Sequence, residues 1–308
     1  MTDIEFDADS HCYHAEAGQA LYPTRYRAVS AFAEGLAIAH KLDGAVVLID
    51  PLGRELDLRD QRFAWILPPH LGRALAQTID GRHGWLDPTG CFHAHREDPE
   101  WTARVEVVRI ARLIYERGYN VSIDGNISVR LSQGELLITP SGQHNGFLRP
   151  EDLVVIDPRG RLLRGDGRPT SELRLHTALH ARRPDIGCVI HVHSPFAVAA
   201  SLAGVDLTRT WISAAPIPTT DYARISSEQS PAVLEPFMRD YNWAILPRHG
   251  TVAWADTTWN AFLRIEGLEH CAKIVMAARA AGPIEPLPDD RRLELLTFWG
   301  LEHLEAPQ

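Results

Sequence analysis

Apolar and polar positions divide the chain near residue 96. Before it, "RYRAVSAFAEGLAIAHKL" (25–42) spaces its apolar residues at helical intervals. "GAVVLID" (44–50) reads as a buried strand and "PPHLGRALAQTI" (68–79) as a second helix. "DGRHGWLDPTGCFHAHREDPE" (80–100) carries Gly, Pro, Asp and Thr with little apolar periodicity, which predicts a connector. No internal repeat or low-complexity tract is evident.

The second part has a different texture. "PEWTARVEVVRIARLIYERGY" opens on Pro99 and predicts a long helix ending near Gly118 and Asn120. "NISVRLS", "ELLITPSG" and "DLVVIDPRGRLL" predict short strands. "TSELRLHTALHARR" predicts a helix, "GCVIHVH" a strand and "PFAVAASLAG" a helix. "WAILPRHGTVAWA" then predicts a strand and "TTWNAFLRIEGLEHCAKIVMAARA" a long helix. Strands fall between helices without a regular βαβ rhythm, so a mixed or antiparallel sheet flanked by helices is expected.

Composition narrows the function. The 308 residues hold 45% hydrophobic and 23% charged positions, the usual balance of a globular protein, with a net charge of -9. That charge provides no basic surface for a nucleic-acid backbone. No apolar run reaches a membrane span, and the polar start "MTDIEFDADSHCYH" lacks the pattern of a signal peptide. Four cysteines (Cys12, Cys91, Cys188, Cys271) form no C-x-x-C pair, as suits reduced thiols. A cytoplasmic protein is expected.

Two histidine pairs have i, i+2 spacing. His191 and His193 follow the apolar "CVI", so a strand would point both rings to one face, in reach of a divalent ion. His249, at a glycine-marked break in "LPRHGTV", is a candidate third ligand; hydrogen-bonded core histidines are the alternative. His93 and His95 lie in charged, loop-like surroundings, and a solvated loop accounts for them. "SHCYH" near the start carries a weaker signal still.

In chain order, "GNISVR" (125–130), "LLITPSG" (136–142), "DLVVIDPRG" (152–160), "PTSELRLHTALHARRPDI" (169–186), "VIHVHSPFAVAASLAG" (189–204) and "AILPRHGTV" (244–252) resemble the class II aldolase/adducin family. The resemblance covers about residues 100–280. It implies a three-layer α/β/α domain with a central, mostly antiparallel sheet, and a homotetramer whose active sites lie between subunits. A small N-terminal α/β segment would be added to it. The expected organisation is 1–95 as an N-terminal extension, 96–285 as the catalytic domain and 286–308 as a C-terminal tail. The resemblance also implies a divalent metal on His191, His193 and His249, and an acid/base role for Glu172 in Pro169-Thr170-Ser171-Glu172. Zinc comes first, with manganese, iron and cobalt also suited to three histidines. One ion per chain is expected.

An ion held by three neutral imidazoles keeps its charge and an open position. It can bind a carbonyl oxygen with an adjacent hydroxyl, stabilising an enolate or enediolate. Glu172, near it and partly desolvated, is poised to move a proton; a carboxylate serving the helix dipole is the plain alternative. Gly125, Asn126, Ser141, Gly142, Thr170 and Ser171 offer N–H groups and hydroxyls for a phosphate or carboxylate, though turns and caps use the same residues. Arg248, Tyr222 and His176 are weaker candidates for the site. Trp243, Trp254 and Trp259 read first as core or interface aromatics.

The resemblance therefore implies a metal-dependent carbon–carbon lyase cleaving a small hydroxy-ketone or ketose phosphate. The alternatives are a decarboxylase or iron-dependent oxygenase of a hydroxy-aromatic or keto acid, and a non-catalytic, adducin-like interaction protein. Thr170 where Ser is usual, Arg248 before His249, and His180 where Tyr is frequent depart from the family pattern. They bear on the substrate and remove no ligand.

Overall fold

A computed structural model of the chain describes residues 4–7, 12–15, 26–59, 61–96, 98–208, 216–285, 287–300 and 302. It divides into two compact units, Met1–Thr102 and Ala103–Gln308.

The first unit contains strands alone among its described residues before Pro99. A hairpin joins β1 (Ile4–Asp7) to β2 (Cys12–Ala15). A three-stranded sheet holds β3 (Tyr26–Val29), β4 (Ala37–Lys41) and β5 (Val46–Ile49). A four-stranded sheet holds β6 (Phe63–Ile66), β7 (Ala74–Thr78), β8 (His83–Leu86) and β9 (Phe92–Ala94). Both helices expected here are therefore strands, and the expected connector is the β8–β9 hairpin. The reason lies in β4: Ala37 and Ala39 enter one apolar cluster while Ile38 enters another. A strand buried on both faces loses its alternation and imitates helical spacing.

These two sheets also repeat. Tyr26 to Phe63, Ala37 to Ala74 and Val46 to His83 are each a step of 37 residues, and the register pairs shift by the same step. "AEGLAIAHKLDGAVVLIDPLG" (33–53) thus answers "HLGRALAQTIDGRHGWLDPTG" (70–90). The identities sit mostly at turns, where Gly35, Gly44 and Gly53 match Gly72, Gly81 and Gly90, all at positive φ. Glu34 ties the two copies together: its carboxylate accepts from the N–H groups of Leu71 and Gly72, each at 2.8 Å.

The second unit is α/β, as expected. α1 (Pro99–Glu116) leads into seven strands: β10 (Asn126–Arg130), β11 (Leu136–Ile138), β12 (Val154–Ile156), β13 (Leu162–Arg164), β14 (Cys188–Val192), β15 (Trp243–Leu246) and β16 (Gly250–Ala255). Their order is β13-β12-β11-β10-β14-β16-β15, and every named pair is antiparallel. The helices are α2 (Leu173–Arg182), α3 (Pro195–Leu202), α4 (Gln229–Leu234), α5 (Thr258–Ala281) and α6 (Asp289–Trp299), the last within the expected C-terminal tail.

Two apolar clusters give the layers. Leu175 and Leu179 of α2 pack with Val189, Val252 and Trp254, while Ala197 and Ala200 of α3 pack with Ile245, Leu268 and Val275. The sheet lies between them. Alternation along β14 puts His191 on the same face as Val189, under α2. "DLVVIDPRGRLL" and "WAILPRHGTVAWA" each fold as two strands, and His249 sits in the turn of the second hairpin.

Candidate metal centre

His191 lies on the central strand β14, opposite Asn126 on one side and Val252 on the other. It is fully buried, and its Nδ1 lies 2.9 Å from the Thr251 carbonyl oxygen. A carbonyl accepts, so Nδ1 carries the proton and Nε2 presents a lone pair. His193, two residues on, is 28% exposed in its side chain, and its Nδ1 lies 3.4 Å from Asp124. Its own N–H donates to Asn120 Oδ1 at 3.1 Å. His249 completes a triangle, the three ring centroids being 4.6 to 5.2 Å apart.

Two glycines make this possible. A Cβ on Gly250 would collide with the Val192 carbonyl oxygen and come within 2.9 Å of His191 Cε1. Gly125 has φ +70, and a Cβ there would collide with the Asn120 side chain. Asn145 fixes the same loop by donating to the carbonyls of Asp124 and Gly125 at 2.6 and 2.7 Å. Arg248 also takes a left-handed conformation, φ 62, which costs a non-glycine residue about 1–2 kcal/mol. Its side chain is exposed.

Glu172 stands between the imidazoles. Its Oε2 is 3.0 Å from His191 Nε2 and its Oε1 is 3.3 Å from His249 Nε2. Asn126 Nδ2 donates to Oε2 at 3.0 Å. The residue caps α2, but its side chain makes no capping hydrogen bond, so the helix-dipole explanation falls short. Burial pushes the carboxyl up; His191, His249 and Asn126 outweigh it and hold Glu172 well below the usual carboxylate range. Burial also pulls His191 down, but the Glu172 carboxylate dominates and raises it. Burial and the charge of His191 push His249 down to about 3.

These donors suit a divalent ion. One ligand atom from each of Glu172, His191, His193 and His249 lies within 4.8 Å of the others. The Nε2 atoms of His191 and His249 are buried without a hydrogen-bonding partner of good geometry, though carboxylate oxygens lie close. Buried nitrogens aimed at a common point in this way are what an ion would satisfy. Asp124 and Thr251, which hold the outer nitrogens of His193 and His191, escaped the sequence reading; "IDGN" beside Asn126 and "HGTV" after His249 were the available signals.

The anion-binding candidates fall into two places. Ser141 and Thr170 are brought together: Ser141 N–H donates to the Arg168 carbonyl at 2.7 Å, and Thr170 N–H to that of Thr139 at 3.2 Å. Those two N–H groups are therefore spent, and the Thr170 hydroxyl accepts from Glu172 N–H at 3.3 Å. Beside them a recess of about 460 Å³ is lined by Arg159, Arg168, Thr170, Ser171 and Arg174. Asn126 lies instead under Glu172, its amide bonded at both ends.

Tyr222 is exposed, His176 is buried and bonded to Asn126, and Trp254 is a core residue. His93 occupies edge strand β9, bonded to Asp87 at 2.9 Å, and His95 stacks on Trp101 at 3.7 Å. Asp87, Cys91 and His93 also lie close enough to share an ion, the first two half-buried and His93 exposed. Side chains in "SHCYH" lie outside the described residues.

The family described as Class II Aldolase and Adducin N-terminal domain matches residues 105–276. A methylthioribulose-1-phosphate dehydratase of Methylococcus capsulatus is 32% identical over 56% of this chain and 93% of its own. A 3-oxo-tetronate 4-phosphate decarboxylase of Escherichia coli K12 is 31% identical over 57% of this chain and 87% of its own. A solved L-fuculose 1-phosphate aldolase matches with a TM-score of 0.57 and 25% identity, over 67% of this chain and 97% of that one.

Proposed function

The chain belongs to the class II aldolase and adducin family, and we propose that it is a divalent-metal-dependent carbon–carbon lyase cleaving a small phosphorylated hydroxy-ketone. The observation that carries this reading is the convergence of His191, His193, His249 and Glu172 within 4.8 Å. A non-catalytic, adducin-like role gives no reason to gather four such donors, three of them with buried side chains.

The three imidazoles would hold the ion, zinc first, one per chain. When bound, it supplies a Lewis acid that favours the negative charge developing beside a carbonyl as the carbon–carbon bond opens. Glu172 takes the proton from the substrate hydroxyl and returns one to carbon, its carboxylate kept ionised by its neighbours. Thr170, Ser171, Ser141 and Gly142 orient the substrate's anionic end. The arginines of the adjoining recess favour phosphate, the group carried by the substrates for which all three relatives are named.

Dehydration is the second reading, favoured by the Methylococcus relative, since removing a proton beside a carbonyl begins that reaction too. Incubating metal-loaded protein with short ketose 1-phosphates decides between them. Release of an aldehyde and a three-carbon ketose phosphate supports cleavage, and loss of water supports dehydration. Carbon dioxide from a phosphorylated keto acid would support decarboxylation instead, and inertness in all three assays would overturn the lyase reading.

A homotetramer completes the proposal, with residues 96–285 as its catalytic domain and 1–95 as an added module. Light scattering giving one or two chains per particle would refute that assembly. Among the described residues no helix is long and apolar enough to cross a membrane.

A further inference from the structure

A chain of buried polar groups runs away from Glu172. Asn126 Nδ2 donates to Glu172 Oε2 at 3.0 Å, and Asn126 Oδ1 lies 2.5 Å from His176 Nε2. His176 Nδ1 is 2.7 Å from Ser128 Oγ, which is 2.9 Å from His180 Nε2. All five residues are buried, and the chain stops at His180 Nδ1, a buried nitrogen without a hydrogen-bond partner.

That last atom sets the direction. Orphaned N–H groups are rarer in protein interiors than bare acceptors, so the proton of His180 sits on Nε2. His180 then donates to Ser128, whose hydroxyl must donate onward to His176 Nδ1. His176 therefore carries its proton on Nε2 and donates to Asn126 Oδ1, leaving the amide N–H to face Glu172. The carboxylate end gives the same order, because an ionised carboxylate oxygen accepts. Burial pushes both histidines down to about 3, so each is neutral and has one donor and one acceptor.

We propose that Asn126, His176, Ser128 and His180 form a one-way hydrogen-bond chain that holds Glu172 Oε2 as a permanent acceptor and leaves Oε1 to exchange the proton with substrate. The inference rests on the acid/base role given to Glu172 above. His191 Nε2 also lies 3.0 Å from Oε2, but as a metal ligand its lone pair is taken, so for Oε2 to carry a proton Asn126 would have to turn its oxygen toward Glu172. Both imidazoles would then have to change tautomer, and His180 would direct an N–H where no acceptor lies. Oε1, which lies 3.3 Å from His249 Nε2, has no bond to this hydrogen-bond chain. The proton leaving the substrate arrives on Oε1, its bonding electrons remain on the substrate, and the same oxygen returns it. The amide cannot readily hand a proton along the chain, so these four side chains position Glu172 and do not conduct.

Nitrogen NMR of full-length protein labelled in its histidine rings tests the direction without any substrate. In metal-loaded protein, His176 and His180, assigned from single variants, are expected with the proton on Nε2, whereas His191 is expected to carry its proton on Nδ1. A proton on His176 Nδ1, or a doubly protonated ring, would overturn the chain and leave the lyase reading standing. Turnover tests the positioning. His176→Gln keeps an N–H toward Asn126, and His176→Leu removes it. On a ketose phosphate cleaved by the wild type, His176→Leu should lower kcat about 10–100-fold with KM little changed, and His176→Gln should retain most activity. Equal losses in both, tracking their melting temperatures at unchanged metal content, would reduce the chain to packing and refute the proposal.

Discussion

His191 and His93 each lie on an antiparallel strand and lead a pair of histidines spaced i, i+2, the second histidine just past the strand's end. The first strand is central and the second is an edge. On β14, neighbours on both sides bury His191 completely and put the Thr251 carbonyl behind it. On β9, the side chain of His93 is 61% exposed and its Nε2 is taken by Asp87. Spacing therefore aims two rings, while burial and an outer partner turn a ring into a ligand.

The strongest way to break this contrast is to count ions. His191→Ala/His193→Ala should take elemental content from about one ion per chain to a trace, and His93→Ala/His95→Ala should leave it unchanged. A loss of content in the second variant would mean that the exposed Asp87–Cys91–His93 cluster is a second site. Next in size, Glu172→Gln should lower kcat about 10²–10⁴-fold while the metal stays bound, measured by turnover and elemental analysis together. Loss of the ion in that variant would make Glu172 a ligand first.

Much of the second unit was legible in the sequence. Its long helices follow period 3.6, its strands stand out as short apolar runs between turn residues although β11, β12, β14 and β16 are buried on both faces, and its chemistry follows an apolar lead-in. The first unit was misread because Ala37, Ile38 and Ala39 are all buried and show no alternation. Its repeat escaped notice because Gly, Asp and Pro at turns look alike anywhere. Within the site, Asp124, Thr251 and Ser128 lie beside recognisable motifs, but their partners are brought to them from distant sequence by the fold.

Burial can be tested through pH. His176 and His180 have folded-state pKa values near 3, below their usual 6.5. Their neutral forms stabilise the fold fully above pH 6.5, and the effect is lost as pH falls toward 3. Each should add a slope of up to about 1.4 kcal/mol per pH unit in that window. His191, raised by Glu172, acts oppositely in metal-free protein: its contribution is present below pH 6.5 and fades as pH rises through its higher value. Urea unfolding with chelator present, over that range, should give a smaller slope for His180→Leu. An unchanged slope would mean that His180 is charged or exposed in the native state.

The smallest expected effect lies at the exposed end of the comparison. Glu34→Ala removes the carboxylate that joins the two repeat turns, and should cost about 1 kcal/mol in the unfolding of the first unit. No loss would mean that the shared apolar cluster alone holds the copies together.

The 37-residue repeat also bears on how the chain is made. Each of its hairpins joins strands a few residues apart, as β4 to β5 and β7 to β8 do, so its contacts are local and close quickly. The metal centre has to wait, because pairing β10 with β14 joins Asn126 to His191 and the β16 partner comes later still. During synthesis from the N-terminus, the first unit can be folded while most of the ligand-bearing sheet is still inside or near the ribosome. Exposed strand edges of a half-made second unit would then be the vulnerable species in expression.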